Sequence, residues 1–217
     1  MHGNIPPAGD GRTADLRSIL KKRQILDGAR QVFLLNGYAE ASMDEIAVQA
    51  GVSKGTLYNH FDSKDDLFRS LIGAEAGCII RELPSPDLED PNSAAALRQI
   101  GIAILKVMEA PATVATLRLV IGALGRFPRL GEEFFTQTLG PTVERIAEYL
   151  DIHVAAGSIQ IQDTHSTAEQ FARWCLAHAM ERVLMPNPPC QMEADCSAWV
   201  EQVLRALSIS TGTHKHV

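Results

Sequence analysis

The run from Ser42 to Lys64, SMDEIAVQAGVSKGTLYNHFDSK, constrains this chain more than any other stretch. It reads as two short helices joined by a tight Ala-Gly-Val-Ser turn. Ser42 is a good N-cap, and Glu45 three residues later completes a capping box, in which each side chain satisfies an otherwise orphaned backbone N–H. Gly51 makes the sharp turn, since glycine reaches left-handed backbone without a Cβ penalty. Ser53 caps the next helix. Ile46, Ala47 and Ala50 face inward, and Leu57 and Phe61, at i and i+4, seat the second helix on its neighbours. The rest of that helix is small and polar. Such a helix, held by one apolar edge, is suited to enter the major groove of DNA.

The flanks extend the pattern. Ile25, Leu26, Ala29, Val32 and Phe33 form one apolar stripe in a helix predicted over residues 18–36, which Asn36-Gly37 stops. Asp62-Ser63 break the reading helix, and Ser63 with Asp66 caps a longer one carrying Leu67, Phe68, Leu71 and Ile72. Beyond a Pro-punctuated loop at residues 84–91, helical periodicity recurs over 94–108, 113–127, 141–150, 167–185 and 195–209. Pro141 suits a first helical position. No strand pattern and no internal repeat is evident. The expected fold is all-α, with about nine helices. The expected organisation is a flexible arm (1–17), a helix-turn-helix domain (18–73), an effector-binding and dimerisation domain (74–210) and a tail (211–217).

Charge argues at first against a nucleic-acid partner, because the net charge is −6. Its distribution removes the objection. Residues 1–73 hold nine basic and nine acidic residues, so the acidity lies in the remainder. Lys21, Lys22, Arg23, Lys54 and Lys64 can form a phosphate-facing patch. The four cysteines show no C-x-x-C pair or zinc-type spacing, so no metal site is expected, and the thiols read as reduced. There is no apolar signal segment near Met1 and no stretch of membrane-spanning length, so the expectation is a soluble cytoplasmic protein with no membrane partner. No cofactor is implied.

The segment ILDGARQVFLLNGYAEASMDEIAVQAGVSKGTLYNHFDSKDDLF, within Lys22 to Leu71, resembles the DNA-binding domain of TetR-type bacterial transcriptional regulators. Turn, glycines, aromatic pair and trailing lysine all occur in register. LRLVIGALGRFPRLGEEFF and PTVERIAEYL, between Leu117 and Leu150, are similar to the C-terminal domain of the AefR-like subgroup. The resemblance implies a sequence-specific regulator, most simply a repressor released from double-stranded operator DNA by a small-molecule effector. It also implies that Ser42, Tyr58, His60 and Lys64 clamp the DNA backbone and that Gly55 leaves room for close groove approach.

The residues themselves add roles. Lys54 can donate to guanine acceptors or phosphate, and Asn59 can pair with an adenine edge. Thr56 offers a methyl group to thymine and a hydroxyl to phosphate. Tyr58 and His60 can each donate to a phosphate oxygen. One short helix reads few base pairs, so a homodimer on two half-sites is expected. Trp174, His178, Trp199, Val203 and Leu207 give the last two helices apolar faces for that interface. Leu105, Met108, Leu117, Val120, Phe127, Phe134 and Trp174, with Arg118 and His178 as polar contacts, are the expected lining of an effector pocket. Two other classes compete with this reading. An enzyme lacks support, since there is no H-E-x-x-H, no G-x-S-x-G and no Gly-rich phosphate loop. A helical interaction module without DNA binding fits the net charge but leaves the polar helix after the Gly turn without a purpose.

Overall fold

The computed structural model describes residues 10–82, 93–157, 159–185 and 192–206. Among them are nine helices and no strand: α1 (Asp10–Glu40), α2 (Met43–Gln49), α3 (Lys54–Tyr58), α4 (Lys64–Glu82), α5 (Ser93–Glu109), α6 (Pro111–Ala123), α7 (Leu130–Ala155), α8 (Thr164–Leu184) and α9 (Met192–Ala206). The chain divides into two units, Met1–Ile72 and Gly73–Val217.

In the first unit, α1 is interrupted where the sequence requires it. Gly37 has φ 72° and ψ 175°, a backbone conformation that side chains other than glycine rarely adopt. The helix starts earlier than expected, at Asp10 rather than near Ser18, so residues 10–17 are helical rather than an arm. The start of the helix gave no buried stripe to read: Leu16, Ile19 and Leu20 are all exposed. Once the packed stretch from Ile25 has nucleated the helix, propagation backwards costs little. Ile25, Ala29, Phe33, Ile46, Leu57, Phe61, Leu67 and Phe68 close the core. Phe33 and Phe68 meet edge to face at 5.0 Å, and Tyr38 joins them at 5.0 Å from Phe68. Tyr38 also donates its hydroxyl to Asp65.

In the second unit, a core of Leu97, Ile100, Leu105, Ile146, Leu150, Phe171, Cys175, Val200 and Leu204 joins α5, α7, α8 and α9. Cys175 is fully buried as a small hydrophobe. A Cβ on Gly101 would lie 2.8 Å from Phe171 Cζ and 2.9 Å from Val200 Cγ1, so α5 approaches α8 and α9 closely only because that residue is glycine. The helix start expected at Pro141 is absent; Pro141 lies inside the 26-residue α7. Proline removes one intrahelical bond, but burial overrides that loss. Leu130 and Phe134 before it, and Val143, Ile146 and Leu150 after it, all face the interior. No single helix among the described residues is long and apolar enough to cross a membrane.

Candidate nucleic-acid interface and ligand cavity

The reader is assembled from short-range bonds. Ser42 Oγ accepts from Glu45 N–H at 3.2 Å, and Glu45 Oε2 accepts from Ser42 N–H at 3.0 Å, completing the capping box. Gly51 turns the chain at φ 63°. The turn closes through Gly51 N–H to the Val48 carbonyl at 3.0 Å and Val52 N–H to the Ala47 carbonyl at 3.0 Å. Ser53 Oγ then accepts from Thr56 N–H at 3.1 Å and starts α3. Ser63 Oγ does the same for Asp66 N–H at 3.1 Å, while Asp66 accepts from Asp62 N–H at 3.2 Å, so α4 is capped as expected.

Tertiary contacts hold this device on α1. A Cβ on Gly28 would lie 2.7 Å from Ala50 N, Cα and Cβ, so α1 and the turn touch backbone to backbone. Gln24 Nε2 donates to the Ala50 carbonyl at 2.6 Å. Leu57 and Phe61 are buried, each stabilising α3 by about 1.5–3 kcal/mol. Lys54, Gly55, Tyr58 and Asn59 are exposed, and Thr56 and His60 are half-buried. The proposed DNA-facing set is thus brought together on and around one five-residue helix.

Two lysines are more engaged than their sequence positions suggest. Lys54 Nζ lies 2.6 Å from Asp44 Oδ2 in an ion pair whose side chains are both exposed. Lys64 Nζ donates to the carbonyls of Ala39 at 3.1 Å and Ala41 at 2.9 Å, and lies 4.6 Å from the Tyr38 ring centre. Lys64 therefore fastens the start of α4 to the connection between α1 and α2. Of the flanking basic residues, Lys21 donates to Gln24 at 2.9 Å and Lys22 lies over the Phe61 ring at 5.4 Å. Gln24, Tyr38 and Asp44 were missed because nothing in local periodicity marks a partner that arrives from another helix.

The second unit holds an apolar cavity of about 40 Å³ lined by Ile79, Ile104, Met108, Phe134, Phe135, Thr138, Leu139, Thr142, Ala172 and Leu176. Of the expected lining, Met108 and Phe134 are present. Leu105, Leu117, Val120 and Phe127 are instead buried core and do not line it, and Trp174 is 37% exposed. Arg118 does not face the cavity: its Nε donates to the Val183 carbonyl at 2.8 Å, satisfying one of the last carbonyls of α8. Val203, expected at a subunit interface, is buried in the chain's own core. Helical periodicity shows which side of a helix is covered, but not by what. The side chains of His178 and Trp199, and all of Leu207, lie outside the described residues.

Comparison with known proteins agrees with this anatomy. Residues 25–71 match the family model for bacterial regulatory proteins of the tetR family, and residues 95–207 match that for the C-terminal domain of AefR-like transcriptional repressors. The chain is 44% identical over 71 residues to the transcriptional activator FasR of Mycolicibacterium smegmatis, a match covering 32% of each protein. The matched segment is thus about a third of that curated relative. Solved structures match over nearly their whole length. A TetR-family regulator from Mesorhizobium loti has a TM-score of 0.74 at 26% identity, covering 88% of this chain and 98% of that one. The flavonoid-responsive regulator FrrA has a TM-score of 0.73 at 32% identity, covering 87% of this chain and 95% of that one. With a capped, glycine-turned reader in one unit, a helical C-terminal unit in the other, and a model match to each, this chain belongs to the TetR family of bacterial regulatory proteins.

Proposed function

We propose that the chain is a homodimeric, operator-binding repressor that a small molecule with an apolar body releases from DNA. The observation that carries this reading is the reader's geometry: Ser42, Ser53 and Gly51 fix α3, Leu57 and Phe61 bury one edge, and Lys54, Tyr58 and Asn59 stand outward. Asn59 is the base reader, paired to an adenine edge, and Lys54 reaches guanine or phosphate by exchanging its Asp44 partner for DNA. Ser42, Thr56, Tyr58 and His60 hold the backbone, and Gly55 leaves room for it. Lys64 contributes mainly by holding α4 in place, with its remaining N–H free for phosphate.

Dimerisation follows from the size of the reader, because a five-residue helix spans too few base pairs for useful affinity alone. Trp174, a large and partly exposed aromatic on α8, supports placing part of the seam there. Effector control is supported by the apolar cavity and by α4, which carries Leu67 and Phe68 in the reader's core and Ile79 in the cavity wall. Repression is read from the name of the matching C-terminal family, and FrrA is described as responsive to a small molecule. A 100-fold release needs about 2.7 kcal/mol of coupling.

The test is fluorescence anisotropy against a library of duplexes across a salt series. A palindromic site bound by two protomers is expected, with affinity falling steeply as salt rises. Asn59→Ala should change preference at one or two positions by about 1–3 kcal/mol. Equal binding to every duplex would overturn the reading.

A further inference from the structure

The apolar cavity has a neighbour. On the α7–α8 side of the second unit runs a groove of about 550 Å³. Cavity and groove share Phe135, Leu139 and Leu176, so three partly buried apolar side chains are all that both have in common as a wall. At about 40 Å³ the cavity has room for little more than one water, so an organic ligand requires its lining to move. The sequence of α7 allows it. Gly140 meets nothing within 4 Å of where a Cβ would stand, and Pro141 supplies no N–H to the helix ladder beside Leu139. The helix is therefore weakest where it forms the wall.

The chemistry of the two spaces differs. Inside, the only lining hydroxyls belong to Thr138 and Thr142, and both donate to their own helix: Thr138 to the Phe134 carbonyl at 2.9 Å, Thr142 to the Thr138 carbonyl at 2.8 Å. The interior is suited to hydrocarbon or an aromatic ring. Outside, the groove carries Glu132, Glu144 and Glu169 against Arg173 and His165. Arg173 is held by Glu169, with Nη2 at 2.6 Å, and His165 Nε2 lies 3.3 Å from Glu144. Glu132 has no ion-pair partner among the described residues.

We propose that this groove is the mouth of the effector site and that it selects a lipophilic cation: an apolar body passes the Phe135–Leu139–Leu176 wall into the cavity while a positively charged head stays among the groove carboxylates. The inference rests on the effector reading above and names its ligand class. An anionic head meets an excess of carboxylate, with the one guanidinium already engaged. A cation meets Glu132 directly and can compete for Glu144.

The experiment uses the full-length protein without DNA and three probes sharing one hydrocarbon chain: decyltrimethylammonium, decanol and decanoate, each below its micelle concentration. Tryptophan fluorescence and calorimetry read binding. The ammonium should bind about tenfold more tightly than the carboxylate, with the alcohol between, and the gap should narrow as salt rises. The surface double variant Glu132→Gln, Glu144→Gln, which leaves the Glu169–Arg173 pair in place, should abolish the preference while keeping the helical circular dichroism of the parent. Leu139→Trp should block all three probes. Decanoate or decanol binding as tightly as the ammonium would overturn the proposal, as would a preference unchanged in the double variant. Operator affinity is measured separately with the ammonium bound. Ligand binding without operator release would break the effector reading and leave the groove's selectivity standing; operator binding with no bound probe would do the reverse.

Discussion

The two units solve the same problem, close helix approach, with different materials. In the reader, Gly28 lets α1 press against the backbone of Ala50, where a Cβ would stand 2.7 Å from N and Cα. In the second unit, Gly101 lets α5 press against the tip of Phe171 and the methyl groups of Val200. Backbone cannot step aside, whereas side chains can change rotamer. A reader must present α3 at one fixed angle, and backbone-to-backbone contact provides that. The ligand opening proposed for the second unit calls for walls of side chains, Met108 among them, that can repack.

Gly28→Ala should have the largest effect. In an exposed helix this change gains up to about 1 kcal/mol from propensity, but here the clash reverses the sign, with a net loss of about 3 kcal/mol and loss of operator binding. Gly101→Ala should cost less, about 1 kcal/mol, because helix propensity offsets part of the side-chain displacement. Urea unfolding of both variants measures the difference. If Gly101→Ala proved the costlier, the contrast between rigid and yielding contacts would be wrong.

Ser42→Ala comes next. It removes the capping-box hydroxyl and should cost about 1 kcal/mol, read in the same unfolding assay. The smallest effect sharpens the contrast from the other side, at the start of α8. There Asp163 accepts from Ser166 N–H at 2.8 Å and Ser166 Oγ at 2.7 Å. The Ser166 backbone bond, followed by the hydroxyl bond, holds the Asp163 carboxyl below its usual 3.8. A folded value below the unfolded one means that the stabilisation is present above about pH 4 and fades as pH falls through the lowered value. Asp163→Asn should therefore lower the melting temperature slightly at pH 7 and converge on the parent as pH falls below the lowered value, which flattens the variant's acid limb. An acid limb as steep as the parent's would remove Asp163 from the account.

Much of the reader was legible because its signals act over five residues or fewer. The pairs Ser42–Glu45, Ser53–Thr56 and Ser63–Asp66 are caps that any chain with those residues at those spacings can form, and Gly37 and Gly51 mark where the backbone must turn. The helical class was legible in the same way, since each apolar stripe repeats at the helical period. Tertiary structure alone decided where those stripes meet. It placed Lys64 on the Ala39 and Ala41 carbonyls, Lys54 on Asp44, and Arg118 on the end of α8. It kept α7 whole through Pro141, and it made Phe135, Thr138 and Leu139, rather than Leu117 or Phe127, the wall of the cavity. The physical reason is range. A cap or a turn is settled by neighbours along the chain, whereas a buried face has the same pattern whatever covers it, and its partner is chosen by packing among helices distant in sequence.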